Sequence, residues 1–124
     1  MSRDRRLGYR IPLEAMFTVL AHERPLRALS ADLSDAGVGL HTVAGAAPVP
    51  GTVVGVELEL PGTGEALWAR GEVCYQRPGD IAAGLGVRFT AMARLHARIL
   101  RDFVVESRRS HLGSLLGRIR GAAV

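Results

Sequence analysis

The feature that most constrains this chain is strict two-residue alternation bounded by turn residues. Val54, Val56, Leu58 and Leu60 alternate with Gly55, Glu57 and Glu59, and Pro61-Gly62-Thr63-Gly64 follows at once. Successive side chains of a strand point to opposite faces, so such a run folds as a strand with one buried face. The pattern recurs: Leu13, Ala15, Phe17, Val19 and Ala21 alternate with Glu14, Met16, Thr18, Leu20 and His22, and weaker versions cover 26–33, 38–42, 67–75 and 83–90. Turn chemistry separates them at His22-Glu23-Arg24-Pro25, at Ser34-Asp35-Ala36-Gly37, in the Gly/Pro-containing loop 43–52 and at Arg77-Pro78-Gly79-Asp80. Six short strands with regularly spaced turns predict an all-β antiparallel sandwich or barrel.

Beyond Thr90 the period changes. Met92, Leu95, Ile99 and Phe103 fall on one helical stripe with Leu100 and Val104 beside it, and Thr90 is the expected N-cap. Ser107 to Ser110 is expected to interrupt this helix. A second stripe, Leu112, Leu115, Leu116 and Ile119, carries the helix-weakening residues Gly113 and Gly117 and is expected to dock on its own barrel or fray. A second chain, an acidic partner or a membrane surface are its other possible occupants. No segment approaches the run of about 20 apolar residues that spans a bilayer. The basic opening MSRDRRLGYR is not followed by an apolar stretch and a cleavage site, so a cytoplasmic location is expected.

Charge narrows the function. All 16 basic residues are arginine, a bias expected of a high-GC bacterial genome. The net charge of +4 is unevenly placed: residues 1–10 carry +3, residues 11–106 carry −3 and residues 107–124 carry +4. A general nucleic-acid binder spreads positive charge over its folded face, so direct nucleic-acid binding is not expected. Most of the six aromatics fall in core-like patterns, which leaves no evident stacking platform. Cys74, the only cysteine, reads as core packing. His22, His41, His96 and His111 show no metal-ligand spacing, and no catalytic set is recognisable, so neither an enzyme nor a metal cofactor is expected.

Two segments flank the first two strands: Arg5-Arg6-Leu7-Gly8-Tyr9-Arg10 and Asp32-Leu33-Ser34-Asp35-Ala36-Gly37. The first contains Arg-x-x-x-Arg at Arg6 and Arg10, and the second contains Asp-x-Ser-x-x-Gly at Asp32, Ser34 and Gly37. Together they resemble the PilZ family. Val38-Gly39-Leu40, Gly51 leading into a Val/Leu strand, Gly71-Glu72-Val73-Cys74-Tyr75, Gly86-Val87-Arg88-Phe89 and a closing amphipathic helix extend the resemblance in order over about residues 3–106.

The resemblance implies a six-stranded antiparallel β-barrel with a C-terminal helix, whose N-terminal arm folds over a surface patch and traps cyclic diguanylate (c-di-GMP). It divides the chain into a basic arm (1–12), the barrel with its closing helix (13–106) and a basic amphipathic tail (107–124). The chemistry is consistent: two phosphates and guanine O6/N7 edges suit the Arg6 and Arg10 guanidiniums, and the guanine N1–H and N2–H donors suit the Asp32 carboxylate. Ser34 is expected to bond a phosphate or base edge, and Gly37 to admit the ligand where a Cβ would intrude. Arg5 is a candidate for a further contact, and so is Tyr75, although an aromatic at a strand end also serves packing. The expected role is a receptor whose arm is ordered by ligand and which relays the signal to an unidentified downstream protein. The alternative is an adaptor barrel that binds a protein without regard to nucleotide.

Overall fold

A computed structural model of the chain describes residues 7–122. Seven strands precede one helix: β1 (Ile11–Pro12), β2 (Met16–Ala21), β3 (Arg24–Leu33), β4 (Gly37–Val43), β5 (Val53–Glu59), β6 (Ala66–Arg77), β7 (Ala82–Met92) and α1 (Arg94–Ala122). Six of them close on themselves in the order β3-β2-β5-β6-β7-β4, with β4 returning to β3. Every pairing is antiparallel. The two-residue β1 joins β3 where β2 has not yet begun, through Ile11 opposite Leu33 and Pro12 opposite Asp32. The fold is thus the expected six-stranded closed barrel with a C-terminal helix.

Alternation predicts the interior well. Phe17, Val19, Val54, Val56, Leu58, Leu67, Val73, Leu85 and Val87 point inward and are almost fully buried, while Met16 and Leu20 point out. From α1, Leu100 and Val104 enter the same core, with Ile99 and Phe103 packed at its margin. Each such side chain removed from water contributes roughly 1.5–3 kcal/mol before chain entropy is set against it.

Strand one differs from the expected 13–21. The ladder runs over 11–12, leaves it at Leu13 to Ala15 and resumes at Met16. The buried Ser30 hydroxyl holds this break, accepting from Ala15 N at 2.9 Å and donating to the Leu13 carbonyl at 2.6 Å. Arg24 and Pro25 belong to β3 rather than to a turn, so the β2–β3 connection is only His22-Glu23. Both residues have positive φ, 51° and 64°, as a two-residue hairpin with right-handed strand twist demands.

The C-terminal part needs further correction. Thr90 lies inside β7, where its hydroxyl donates to the Arg70 carbonyl, and α1 begins four residues later. Met92 likewise ends β7. No break occurs at Ser107 to Ser110: α1 is continuous to Ala122, because this segment has no proline and Arg109 pairs with Glu106 one turn back at 3.6 Å. Beyond Ser107 every helix side chain described is exposed, so Leu112, Leu115, Leu116 and Ile119 do not dock on the barrel. No described helix is long and apolar enough to cross a membrane.

Candidate functional site

The two motif segments meet. Inward alternation extends back through the arm: Leu7, Tyr9 and Ile11 face the barrel, with Ile11 only 3% exposed, so the intervening Arg10 must face out. Arg10 Nη1 then donates to Asp32 Oδ1 at 2.7 Å, both side chains about half exposed. Three residues before Arg10, the described arm is fastened a second time by Asp35, whose two carboxylate oxygens accept from Leu7 N at 3.2 and 3.1 Å. Arg5 and Arg6 lie outside the described residues.

Asp32 owes its position to a β-bulge. On β3, Ala28 and Ser30 point inward, and strict alternation would send Asp32 into the core. The register with β4 slips between Ser30 and Asp32, so that Ala31 is the extra residue, Asp32 turns outward and Leu33 takes the interior. Asp32 Oδ1 also accepts from Gly39 N at 3.1 Å. A Cβ on Gly39 would stand 2.8 Å from that same oxygen, so glycine is required for the carboxylate to lie here.

Tyr75 follows the same logic. Leu67, Ala69 and Val73 on β6 point inward, yet the register with β7 slips between Val73 and Tyr75, turning Tyr75 out opposite Gly86. The ring lies over Gly86 on one side, and the Arg77 guanidinium sits 4.8 Å from its centroid. The extra residue is Cys74, which is therefore exposed and not core packing as its sequence context suggested. Trp68 is likewise 47% exposed, on the outer wall, against the core-like reading of its surroundings.

These elements enclose a cleft of about 200 Å³ lined by Arg10, Ala36, Gly37, Cys74, Tyr75 and Arg88, with the β7 backbone at Gly86 and Val87 as its floor. Arg88 is held by Glu72, Nη2 to Oε2 at 3.1 Å. The structure thus brings Arg10, Asp32, Gly37 and Tyr75 together.

Two expected ligand contacts have other occupations. Ser34 is buried, and its Oγ accepts from Ala36 N and Gly37 N, each at 3.1 Å, so the hydroxyl shapes the turn rather than facing the cleft. A Cβ at Gly37 would land on the Val87 carbonyl oxygen; the glycine is demanded by the approach of β4 to β7, not by open space for a guest. Gly39, Asp35 and Arg88 lie within the motifs but are not among the expected ligand contacts. Asp35 had been read only as turn chemistry, and its place inside the Asp32–Gly37 motif was the available signal.

The remaining contacts join the arm to α1. Arg108 lies 3.9 Å above the centroid of the Tyr9 ring, and Arg101 Nη1 stands 4.0 Å from Asp35 Oδ2. Arm, motif turn and helix therefore form one continuous patch.

Solved structures show the same architecture. The chain superposes on the Bacillus subtilis inhibitor of motility MotI/DgrA with a TM-score of 0.69 at 16% identity, covering 89% of this chain and 53% of that one. Against Escherichia coli YcgR in complex with c-di-GMP the TM-score is 0.65 at 19% identity, covering 91% and 49%. Against the Borreliella burgdorferi PlzA protein in complex with c-di-GMP it is 0.57 at 14% identity, covering 82% and 41%. The chain thus spans about half the length of these structures. No curated protein matches it in sequence. The PilZ domain model matches residues 4–106, the stretch that holds the arm, the barrel and the core-packing part of α1, and the chain belongs to the PilZ domain family.

Proposed function

We propose that this chain is a c-di-GMP receptor that binds its ligand between the arm and the β3–β4 and β6–β7 surfaces. The observation that carries the reading is the Arg10–Asp32 pair beside the cleft. It sets a phosphate-binding cation and a guanine-binding carboxylate within one hydrogen bond of each other. An exposed pair of this kind is worth only about 0–1 kcal/mol. Ligand can therefore separate the two groups at little cost, Arg10 taking a phosphate or guanine O6/N7 and Asp32 the N1–H and N2–H donors. Two relatives of the same fold, YcgR and PlzA, are complexes with c-di-GMP, which supports the choice of ligand.

The cleft volume defines what the arm must add. At about 200 Å³ it is smaller than the roughly 300–1,000 Å³ of ordinary small-molecule sites, so part of a cyclic dinucleotide lies outside it. Arg5 and Arg6 supply the outer contacts in this reading, Tyr75 and Arg77 offer a stacking face, and Ser34 and Gly37 act through the turn that places Asp32. The protein acts as a cytoplasmic receptor, not a catalyst, and relays occupancy to a downstream protein through the arm. Residues 7–12 are seated on the barrel, and in this reading ligand strengthens the docking of the arm.

Calorimetric titration with c-di-GMP tests this. Arg10→Ala and Asp32→Ala each weaken binding by roughly 10- to 100-fold, the loss of one charge-assisted contact set. Equal heats for the parent chain and both variants would favour the nucleotide-independent adaptor, a barrel that meets its partner through the helix.

A further inference from the structure

The segment of α1 beyond the barrel has a composition and a placement that the nucleotide site does not use. Leu112, Leu115, Leu116 and Ile119 stand at i, i+3, i+4 and i+7, forming one apolar stripe, and all four are exposed. The opposite side of the same turns is small and polar: Ser107, Ser110, His111 and Ser114 line a cleft of about 570 Å³ with Ile11, Pro12 and Pro61. The stripe therefore lies on a different face from the cleft, and its four side chains are open to solvent. Arg109 and Arg120 border the stripe on one side, Arg118 follows Ser114 by one turn on the polar side, and residues 107–122 contain no carboxylate.

We infer that this helix face docks on an anionic lipid surface, lying in the plane of the interface. Charge complementarity selects the occupant. A second copy of the same helix, parallel or antiparallel, would set arginines against arginines, and the nearest carboxylate in sequence, Glu106, already pairs with Arg109 of its own helix. A lipid surface bearing negative headgroups meets all of these guanidiniums at once while the four apolar side chains enter the acyl boundary. Arginine stems extend along apolar surface and leave the charge at headgroup level, which suits residues flanking a stripe. A four-residue stripe is also much smaller than a stable protein–protein interface of about 800 Å² per partner. Gly113, Gly117 and Gly121 weaken the helix in water, so this part of α1 gains order from a surface that its own barrel does not provide. Since no described helix can span a bilayer, the association is peripheral and reversible.

The test is co-sedimentation of the full chain with vesicles of phosphatidylcholine alone or phosphatidylcholine containing phosphatidylglycerol. The parent chain should pellet with the anionic vesicles only, and high salt should release it. Arg118→Glu/Arg120→Glu and Leu115→Ser/Leu116→Ser should each reduce the bound fraction at least about tenfold, the first by charge and the second by apolar contact. None of the four residues contributes to the core, and an unchanged thermal midpoint confirms that the barrel persists. Failure of the parent chain to bind anionic vesicles overturns the inference, and so does undiminished binding by the charge-reversed variant. A concentration-dependent dimer in sedimentation equilibrium that Leu115→Ser/Leu116→Ser dissolves would assign the stripe to a second copy and overturn it equally.

Discussion

At the residue scale, the site can be disabled without unfolding the protein, because its charged groups are exposed while its geometry is set by atoms nearby. Arg10→Ala removes an exposed ion pair and should lower stability by no more than about 1 kcal/mol in denaturant titration. The same variant should lose most of its nucleotide affinity, and a large fall in stability would show that the pair has a structural role. Gly39→Ala works in the opposite direction. It leaves every ligand-facing group in place, but its Cβ pushes on Asp32 Oδ1 and withdraws the carboxylate from Gly39 N, so binding should weaken by roughly tenfold. Unchanged affinity in that variant would remove Asp32 orientation from the account. Thr42 offers a test of the core alone: its hydroxyl is buried with no hydrogen-bond partner, so Thr42→Val should stabilise the barrel by about 1 kcal/mol, read as a rise of a few degrees in Tm.

At the element scale, the β2–β3 hairpin holds His22 and Glu23 at positive φ, a region where residues with a Cβ are strained. Glu23→Gly should therefore stabilise the chain by about 1 kcal/mol with no change in nucleotide binding, and a loss of stability would mean that the side chain makes a contact outweighing the strain. This turn also shows what sequence conveyed and what it did not. The strands were legible because Phe17, Val19, Val56 and Leu58 repeat every second residue, and Arg10 was legible as a candidate from the spacing of its motif. The bulges were not. Ala31 and Cys74 have no special backbone chemistry, and their register slips follow from pairing with the next strand, β4 and β7 respectively, which the local alternation of one strand does not reveal. The motif nevertheless pointed to an outward Asp32 beside Arg10, where strict alternation would have buried it. The continuity of α1 was hidden for the converse reason: serines and glycines that read as a local break are carried through by helix already formed upstream, where nucleation has occurred.

At the scale of the whole molecule, the uneven charge of the sequence becomes contact. The barrel's net −3 is presented to the arm through Asp32 and Asp35, and α1 approaches the same place with Arg101 and Arg108. Asp35 is the junction, since one carboxylate receives the Leu7 amide and faces Arg101, while Tyr9 two residues on lies beneath Arg108. In the proposed reading, ligand held by Arg10 biases both the arm and the helix that packs on it. Asp35→Ala should speed amide hydrogen exchange at Leu7 and its neighbours by releasing the arm, although Asp35 is not itself assigned to the ligand. When the binding-competent arrangement is only partly populated, apparent affinity falls in proportion, so the variant should bind c-di-GMP roughly threefold to tenfold more weakly. Saturating ligand should restore slow exchange, because binding and arm docking are linked and each must favour the other. Faster exchange with unchanged affinity would mean that the seated arm is a structural strap, and that Arg10 reaches the ligand regardless of where Leu7 and Tyr9 lie.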